Sequence, residues 1–298
     1  FSEYYFILNK KELPYGSFQQ KNVMTIFMAT GIGTSLFLMG KDSNLSASNL
    51  KKWLVFLIPF TGSIIIMAIK AKAGYIGLFV VLLLMLPSVS IKEKFYQRWF
   101  TILFTGIFIG WFSPSIYDSF QHQKIPDSVL DSGNKPPAKE PDLQAGLYTR
   151  NLDSQIATVH TRKTTYETTF RMWKDNPFTG VGYGRFPSLY REYVASRRAN
   201  EAGFDYIMDE YFDHPHNETL LWLSEGGIVP FLGLLIFAGA YLILIIKRNL
   251  KEALAYLALV APILLHTQFE FPFDTSLAHW IVFLTLFHVP DDSDEIHY

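Results

Sequence analysis

Charged residues are missing from seven long windows of this sequence, at 22–40, 53–69, 73–91, 99–117, 226–246, 253–269 and 275–290. A helix needs roughly 20 apolar residues to cross the hydrocarbon of a bilayer, and most of these windows approach that length; the last is the shortest. Backbone groups in lipid must satisfy one another within the segment, so apolar runs of this kind are expected to be helices. The chain is 49% hydrophobic with 18% charge, and the charge is confined to the connections rather than spread evenly. That segregation indicates a membrane protein rather than a large soluble core. The expected fold class is therefore an all-α integral membrane protein, a multi-spanning helix bundle of about seven membrane helices with a large helical external loop.

Short connections carry Lys41, Lys51 and Lys52, then Lys92, Lys94 and Arg98, then Lys247, Arg248 and Lys251. If every window spans, these clusters fall on one side, which the positive-inside bias makes cytoplasmic. Lys10, Lys11, Lys21, Lys70 and Lys72 depart from that bias. The layout is then four spans over 1–117, a large loop over 118–225 and three spans with a short cytoplasmic tail over 226–298. The loop is periplasmic if the membrane is the inner membrane of a Gram-negative bacterium. The chain begins at Phe1 with no signal peptide before Pro14, which leads us to expect a piece of a longer membrane protein. Cysteine is absent, so neither a disulfide framework nor a thiol nucleophile is available. A net charge of −1 identifies no partner and gives no sign of nucleic-acid binding.

Within the loop, 126–142 is rich in Pro, Asp, Lys and Ser and reads as a mobile linker. From Asp153 to Asp175 the pattern turns helical, with Ile156, Val159, Tyr166, Phe170 and Trp173 on one stripe until Pro177 stops it. Arg162 lies three residues after Val159 and four before Tyr166, on that stripe. A guanidinium there calls for a carboxylate, carbonyls or a bound anion. The run Gly180-Val181-Gly182-Tyr183-Gly184 offers positions with positive φ, but it has no Walker lysine and no preceding apolar strand, so a tight turn aiming Arg185 is preferred to a nucleotide loop. Phe186, Leu189, Tyr190 and Tyr193 then line one face of a second helix, with Arg191, Arg197 and Arg198 largely elsewhere. Such a helix suits a membrane surface or a bundle flank.

Asp213-His214-Pro215-His216-Asn217-Glu218 stands where this loop meets the apolar window at 226–246. Titratable groups at the edge of hydrocarbon are costly and mark a candidate site. An unperturbed imidazole titrates near neutrality, so His216 suits a general base, while Asn217 is a good N-cap and Asn217 and Glu218 can orient the ring or hold a sugar hydroxyl. The two histidines raise a metal site, though around a proline they are a far weaker pattern than a helical H-E-x-x-H. Lys70 and Lys72 can snorkel to lipid phosphate or clamp a phosphate-bearing lipid. Gln19, Gln20, Lys21 and Asn22 form a polar entry to the first window, and His266, Gln268, Glu270 and Asp274 cluster where Glu270-Phe271-Pro272-Phe273 breaks a helix.

Three segments carry a resemblance: Gly16-Ser17-Phe18-Gln19-Gln20-Lys21-Asn22, then 176–184, then His214-Pro215-His216-Asn217-Glu218 followed by Glu225-Gly226-Gly227. Together they resemble the O-antigen ligase and polymerase superfamily, and within it the bacterial O-oligosaccharyltransferases that glycosylate pilins. His266-Thr267-Gln268-Phe269-Glu270-Phe271-Pro272 is similar to the His and Glu-Tyr-Pro turn of those protein ligases. The resemblance implies a multi-pass inner-membrane transferase, without a cofactor or metal, that moves a preassembled glycan from undecaprenyl diphosphate to a hydroxyl on the periplasmic side. It assigns catalysis to His216 and Arg162. Lys72 stands where the family has an arginine, leaving a monodentate ammonium for a forked guanidinium. His214, Asn217, Glu218, Gln20, Asn22, Arg185, His266 and Glu270 are left to bind glycan, lipid or acceptor. The acceptor is a periplasmic pilin-like protein or, in the nearest alternative, the lipid A core or a growing O-antigen. A transporter would use the same polar groups for passage, but transporters favour repeats and broken helices near the midplane.

Overall fold

The computed structural model describes residues 20–41, 49–121, 161–204 and 214–290. The linker expected at 126–142, the helical residues Ile156 and Val159, the segment Gly16 to Gln19, and Asp213 lie outside the described residues. Among those described there is no strand. In chain order the longer helices are α1 (Lys21–Lys41), α2 (Asn49–Ile69), α3 (Lys72–Met85), α4 (Lys94–Gln121), α5 (161–175), α6 (Phe186–Asn200), the single turn α7 (Glu218–Leu221), α8 (Ile228–Ile246), α9 (Leu250–His266), the short α10 (Pro272–Thr275) and α11 (Leu277–His288). All seven uncharged windows are largely helical. Two helical segments, Lys21–Gly40 and Ile228–Ile246, are long and apolar enough to cross a membrane. Residues 232–238 of α8 are exposed on every side although all are apolar or glycine. On α4, Phe104, Phe108 and Trp111 are about as bare, each near 60% exposed. Apolar surface of this extent belongs in lipid, not in water.

The chain divides into two compact units, one of Phe1–Asp118 with Ala240–Tyr298 and one of Ser119–Gly239. In the first, α1 packs against α2, α3 and α9 around Ile26, Ile32, Leu36, Ile66, Val81 and Leu259. Helix association gains little from the hydrophobic effect in lipid, so small residues and interhelical hydrogen bonds supply the specificity. Gly106 and Gly110 form a G-x-x-x-G face on α4. A Cβ on Gly106 would lie 2.1 Å from Ser63 Oγ, and one on Gly110 would lie 2.5 Å from the Ile64 carbonyl oxygen. Ser63 Oγ donates to the Leu103 carbonyl at 3.2 Å across the same contact. Fully buried Trp99 donates from Nε1 to Ser35 Oγ at 3.0 Å, and Ser35 in turn donates to the Val55 carbonyl at 2.7 Å, joining α4, α1 and α2 through one serine.

The second unit corrects the expected burial of α5. Its packed face is Thr164, Thr165, Thr168, Thr169 and Met172, whereas Tyr166 and Trp173 are half-buried and Phe170 is 41% exposed. Thr165, Thr168 and Thr169 each return a hydroxyl hydrogen bond to the carbonyl four residues back, at 2.7 to 2.9 Å, so their polarity is met inside the helix. Their small side chains then admit α6, whose Tyr190 donates to Thr165 Oγ1 at 3.1 Å. The apolar stripe bearing Arg162 lies on α5 roughly a third of a turn away from this packed face.

α6 also departs from expectation. Phe186, Tyr190 and Val194 are buried with Met172 and Val181, within the unit rather than against a membrane surface. Arg197, expected off the apolar face, is only 7% exposed because it continues the Tyr190 and Val194 spacing by three residues. Its guanidinium donates to Thr168 Oγ1 at 2.8 Å, to both oxygens of Glu201 at 3.2 Å and to Glu167 at 3.4 Å, and lies 4.2 Å from the Phe204 ring centre. Arg171 shares Glu201. The hydrogen bond from Arg197, helped by the charge of Arg171, holds the Glu201 carboxyl below its ordinary value. Nearby, burial and the 2.7 Å bond to Asp175 push the Tyr193 hydroxyl up to about 12.

The turn at 176–184 docks on a π turn, Trp222–Gly226, that interrupts the run from α7 to α8. Val181 and Gly182 donate backbone N–H to the carbonyls of Ser224 and Glu225 at 2.8 and 2.9 Å, and Ile228 donates to the Pro177 carbonyl at 2.8 Å. Gly180 has φ 63° and Gly227 φ 74°, and a Cβ on either would stand 2.3 Å from backbone of the other segment. Buried Glu225 also turns its carboxylate to accept from Phe186 N–H at 2.8 Å, meeting the partial positive charge at the start of α6.

Three outcomes are expected from thermal unfolding of the purified protein in detergent. Gly110→Ala forces a Cβ into the α2 backbone and costs about 1–3 kcal/mol. Glu225→Ala strips a charged acceptor from α6 and costs about 1.5–3 kcal/mol; an unchanged melting temperature in either variant refutes the corresponding packing argument. Because the folded Glu201 carboxyl is depressed, its contribution is present above the unfolded pKa and lost as pH falls through the folded one. Glu201→Gln therefore lowers the melting temperature at neutral pH and leaves it equal to the parent in acid.

Candidate active site

The structure gathers the sequence-predicted site residues into two groups, one in each unit. In the second unit, the loop His214 to Asn217 leads into α7. Asn217 is extended at φ −161° and its Oδ1 accepts from Leu220 N–H at 2.9 Å, so it caps α7. Glu218, 8% exposed, occupies the first turn, where a negative charge suits the helix dipole. Pro215 is buried, and the rings of His214 and His216 meet at 4.6 Å between centres, tilted by 57°.

His216 adopts φ 51°, a left-handed conformation in which, among the described non-glycine residues, it is joined only by Lys70 at φ 55°. A side-chain-bearing residue held there is strained, and such strain gathers at functional sites. Tyr166 of α5 donates its hydroxyl to the His216 carbonyl at 3.3 Å. Arg162, half-buried, precedes Tyr166 by four residues and so shares its face. The helix carrying Arg162 is thereby tied to the loop carrying His216. Arg185 is exposed at the N-cap of α6. The glycine turn that precedes it has positive φ at Gly180, Gly182 and Gly184, as its sequence suggested.

In the first unit, Asn22 Nδ2 donates to Glu270 Oε1 at 3.3 Å, joining the start of α1 to the turn after α9. Glu270 is 7% and His266 1% exposed, and the Glu270 N–H returns to the His266 carbonyl at 2.9 Å. Neither ring nitrogen of His266 finds a hydrogen-bond partner among the described residues, although Glu270 lies within electrostatic reach. Gln20 is half-buried just before α1, its carbonyl accepting from Met24 N–H at 3.2 Å. Lys72 is exposed as the first residue of α3, two residues after the left-handed Lys70.

Sequence reading passed over three residues that the geometry makes prominent. His279 of α11 is fully buried, 5.6 Å ring to ring from Phe27, and lies within electrostatic reach of His266. It was legible as a titratable group inside an apolar window. Glu225 was part of a quoted motif but carried no reason to face α6. Tyr166 was counted as core stripe, and nothing local to it foretells a partner fifty residues ahead.

Residues 54–235, more than half of the chain, match the family model described as O-antigen ligase, and residues 254–297 match one described as the C-terminal part of a virulence factor membrane-bound polymerase. No curated protein and no solved structure matches the chain. The first match contains the 176–184 turn, Arg162, Tyr166 and the His214 to Glu218 loop, and with the lipid-suited helices it makes the chain an integral membrane protein. The chain belongs to the O-antigen ligase family of glycosyl-transferring enzymes.

Proposed function

We propose that this chain is the catalytic part of a protein O-oligosaccharyltransferase, moving a preassembled glycan from undecaprenyl diphosphate to a Ser or Thr hydroxyl of a periplasmic, pilin-like protein. The observation that carries the reading is the hydrogen bond from Tyr166 to the His216 carbonyl, which ties the arginine helix to the histidine loop. A lipid diphosphate is already a good leaving group. The enzyme then needs cations for the charge that develops on it and a base for the acceptor's proton.

His216 takes that proton as the hydroxyl oxygen attacks the anomeric carbon. The bond from this carbon to the phosphate oxygen breaks, and its electron pair departs with undecaprenyl diphosphate, whose charge Arg162 and Lys72 stabilise. His214, Asn217 and Glu218 hold the loop and contact glycan or acceptor. Arg185, Gln20, Asn22, His266 and Glu270 complete the binding of lipid and glycan. The protein acceptor is favoured over the lipid A core by the Glu270-Phe271-Pro272 turn, which lies in the second matched segment. The membrane is the bacterial inner membrane, with seven spans in this chain and the site on the periplasmic side.

The test is transfer of a lipid-linked glycan by the full-length protein in proteoliposomes, offered a pilin and, separately, a lipid A core acceptor. His216→Ala should lower the rate by about 10²–10⁴, and Arg162→Ala by about 10²–10³, with membrane insertion unchanged. Transfer at the parental rate by either variant removes that residue from the mechanism; transfer to the lipid core alone replaces the protein acceptor.

A further inference from the structure

The strain at His216 needs a physical cause. A left-handed backbone is natural for glycine and uncommon for other residues, histidine included although it is among the more tolerant, so residue 216 stays there most readily when neighbours hold it. On its C-terminal side the chain is fixed, because Asn217 caps α7 through Leu220 N–H at 2.9 Å and accepts Leu221 N–H at its carbonyl at 3.0 Å. On its N-terminal side stands buried Pro215, whose ring fixes its own φ. The carbonyl of His216 itself is gripped at 3.3 Å by the Tyr166 hydroxyl. That carbonyl belongs to the peptide plane whose rotation would accompany relaxation of residue 216, so a donor placed on it resists the relaxation directly.

We infer that Tyr166 is a positioning residue for glycan transfer: its hydroxyl latches the left-handed backbone of His216 and thereby aims the imidazole toward the face of α5 that bears Arg162. The inference rests on the proposed role of His216 as base. In this role Tyr166 acts through the backbone of His216. Its anchor is firm, because an adjacent face of α5, about 100° round the helix, is packed through Thr165 onto Tyr190 of α6. A movement of α5 is therefore transmitted to the His216 loop through that hydroxyl.

Tyr166→Phe removes only the donor. In proteoliposomes the full-length Y166F protein should show kcat reduced about tenfold, the loss of one positioning hydrogen bond, with donor KM within twofold and the melting temperature unchanged. p-Aminophenylalanine at 166 keeps an N–H donor in place and should restore at least half of the lost rate, whereas O-methyltyrosine should behave as Phe. In an H216A background Y166F should have no further effect on the residual rate, since the latch then has nothing to aim. A Y166F kcat within twofold of the parent, equal rates for the amino and O-methyl variants, or a full tenfold loss in the H216A background would each overturn the latch. Those outcomes leave the function intact so long as H216A abolishes transfer; if H216A transfers normally, the role of His216 falls instead.

Discussion

Docking of one backbone on another organises the loop unit. The 176–184 turn lies against the π turn at Trp222–Gly226 so closely that Gly180 and Gly227 have no room for a Cβ, and three backbone hydrogen bonds cross the contact. Two chain segments more than forty residues apart are thereby fixed, which sets where α5 ends and where α8 begins. Glu225 can then reach the first turn of α6. A π turn interrupts ordinary helical bonding and leaves carbonyls available, and here those of Ser224 and Glu225 are taken by the incoming turn. The loop carrying His216 enters the same helical run one turn earlier, so its geometry depends on this clamp.

Polar groups inside both units follow one rule. Buried donors are met nearby: Thr165, Thr168 and Thr169 of α5 by their own helix, Ser35 by the Val55 carbonyl, Trp99 by Ser35, Arg197 by Thr168, Glu201 and Glu167. Such satisfaction keeps the desolvation cost within what packing offsets. The imidazole of His266 departs from that rule, as does the indole N–H of Trp173, both buried without a hydrogen bond among the described residues. With Glu270, Asn22 and His279 near it, the His266 imidazole belongs to a polar cluster among apolar helices, and intramembrane ionisable groups are kept for function more often than for stability.

Much of the candidate site was legible because its residues violate local expectation. Arg162 on an apolar stripe and a His-rich loop at the edge of an apolar window are anomalies of pattern, visible without coordinates. Arg197 was misplaced because charge was weighed above position: it continues the Tyr190 and Val194 spacing, and its burial is stabilised by partners on another helix. The packed face of α5 was misread for the opposite reason. Threonine counts as polar in a pattern, yet a hydroxyl that bonds back to its own helix presents little more than a methyl group to a neighbour.

The sequence by itself determined the class of this protein. Uncharged windows of spanning length admit only helices in lipid, and the glycine turn and histidine loop are compact enough to carry a resemblance, both lying within the segment that matches the O-antigen ligase family. Tertiary structure alone decided which groups meet: the Tyr166 hydroxyl and the His216 carbonyl, Glu225 and the start of α6, Asn22 and Glu270. These pairings depend on distance in space between segments far apart in the chain, and residue spacing holds no record of that distance. The left-handed backbone of His216 is of the same kind, a strain that contacts from the surrounding fold impose on a residue whose own preference is against it.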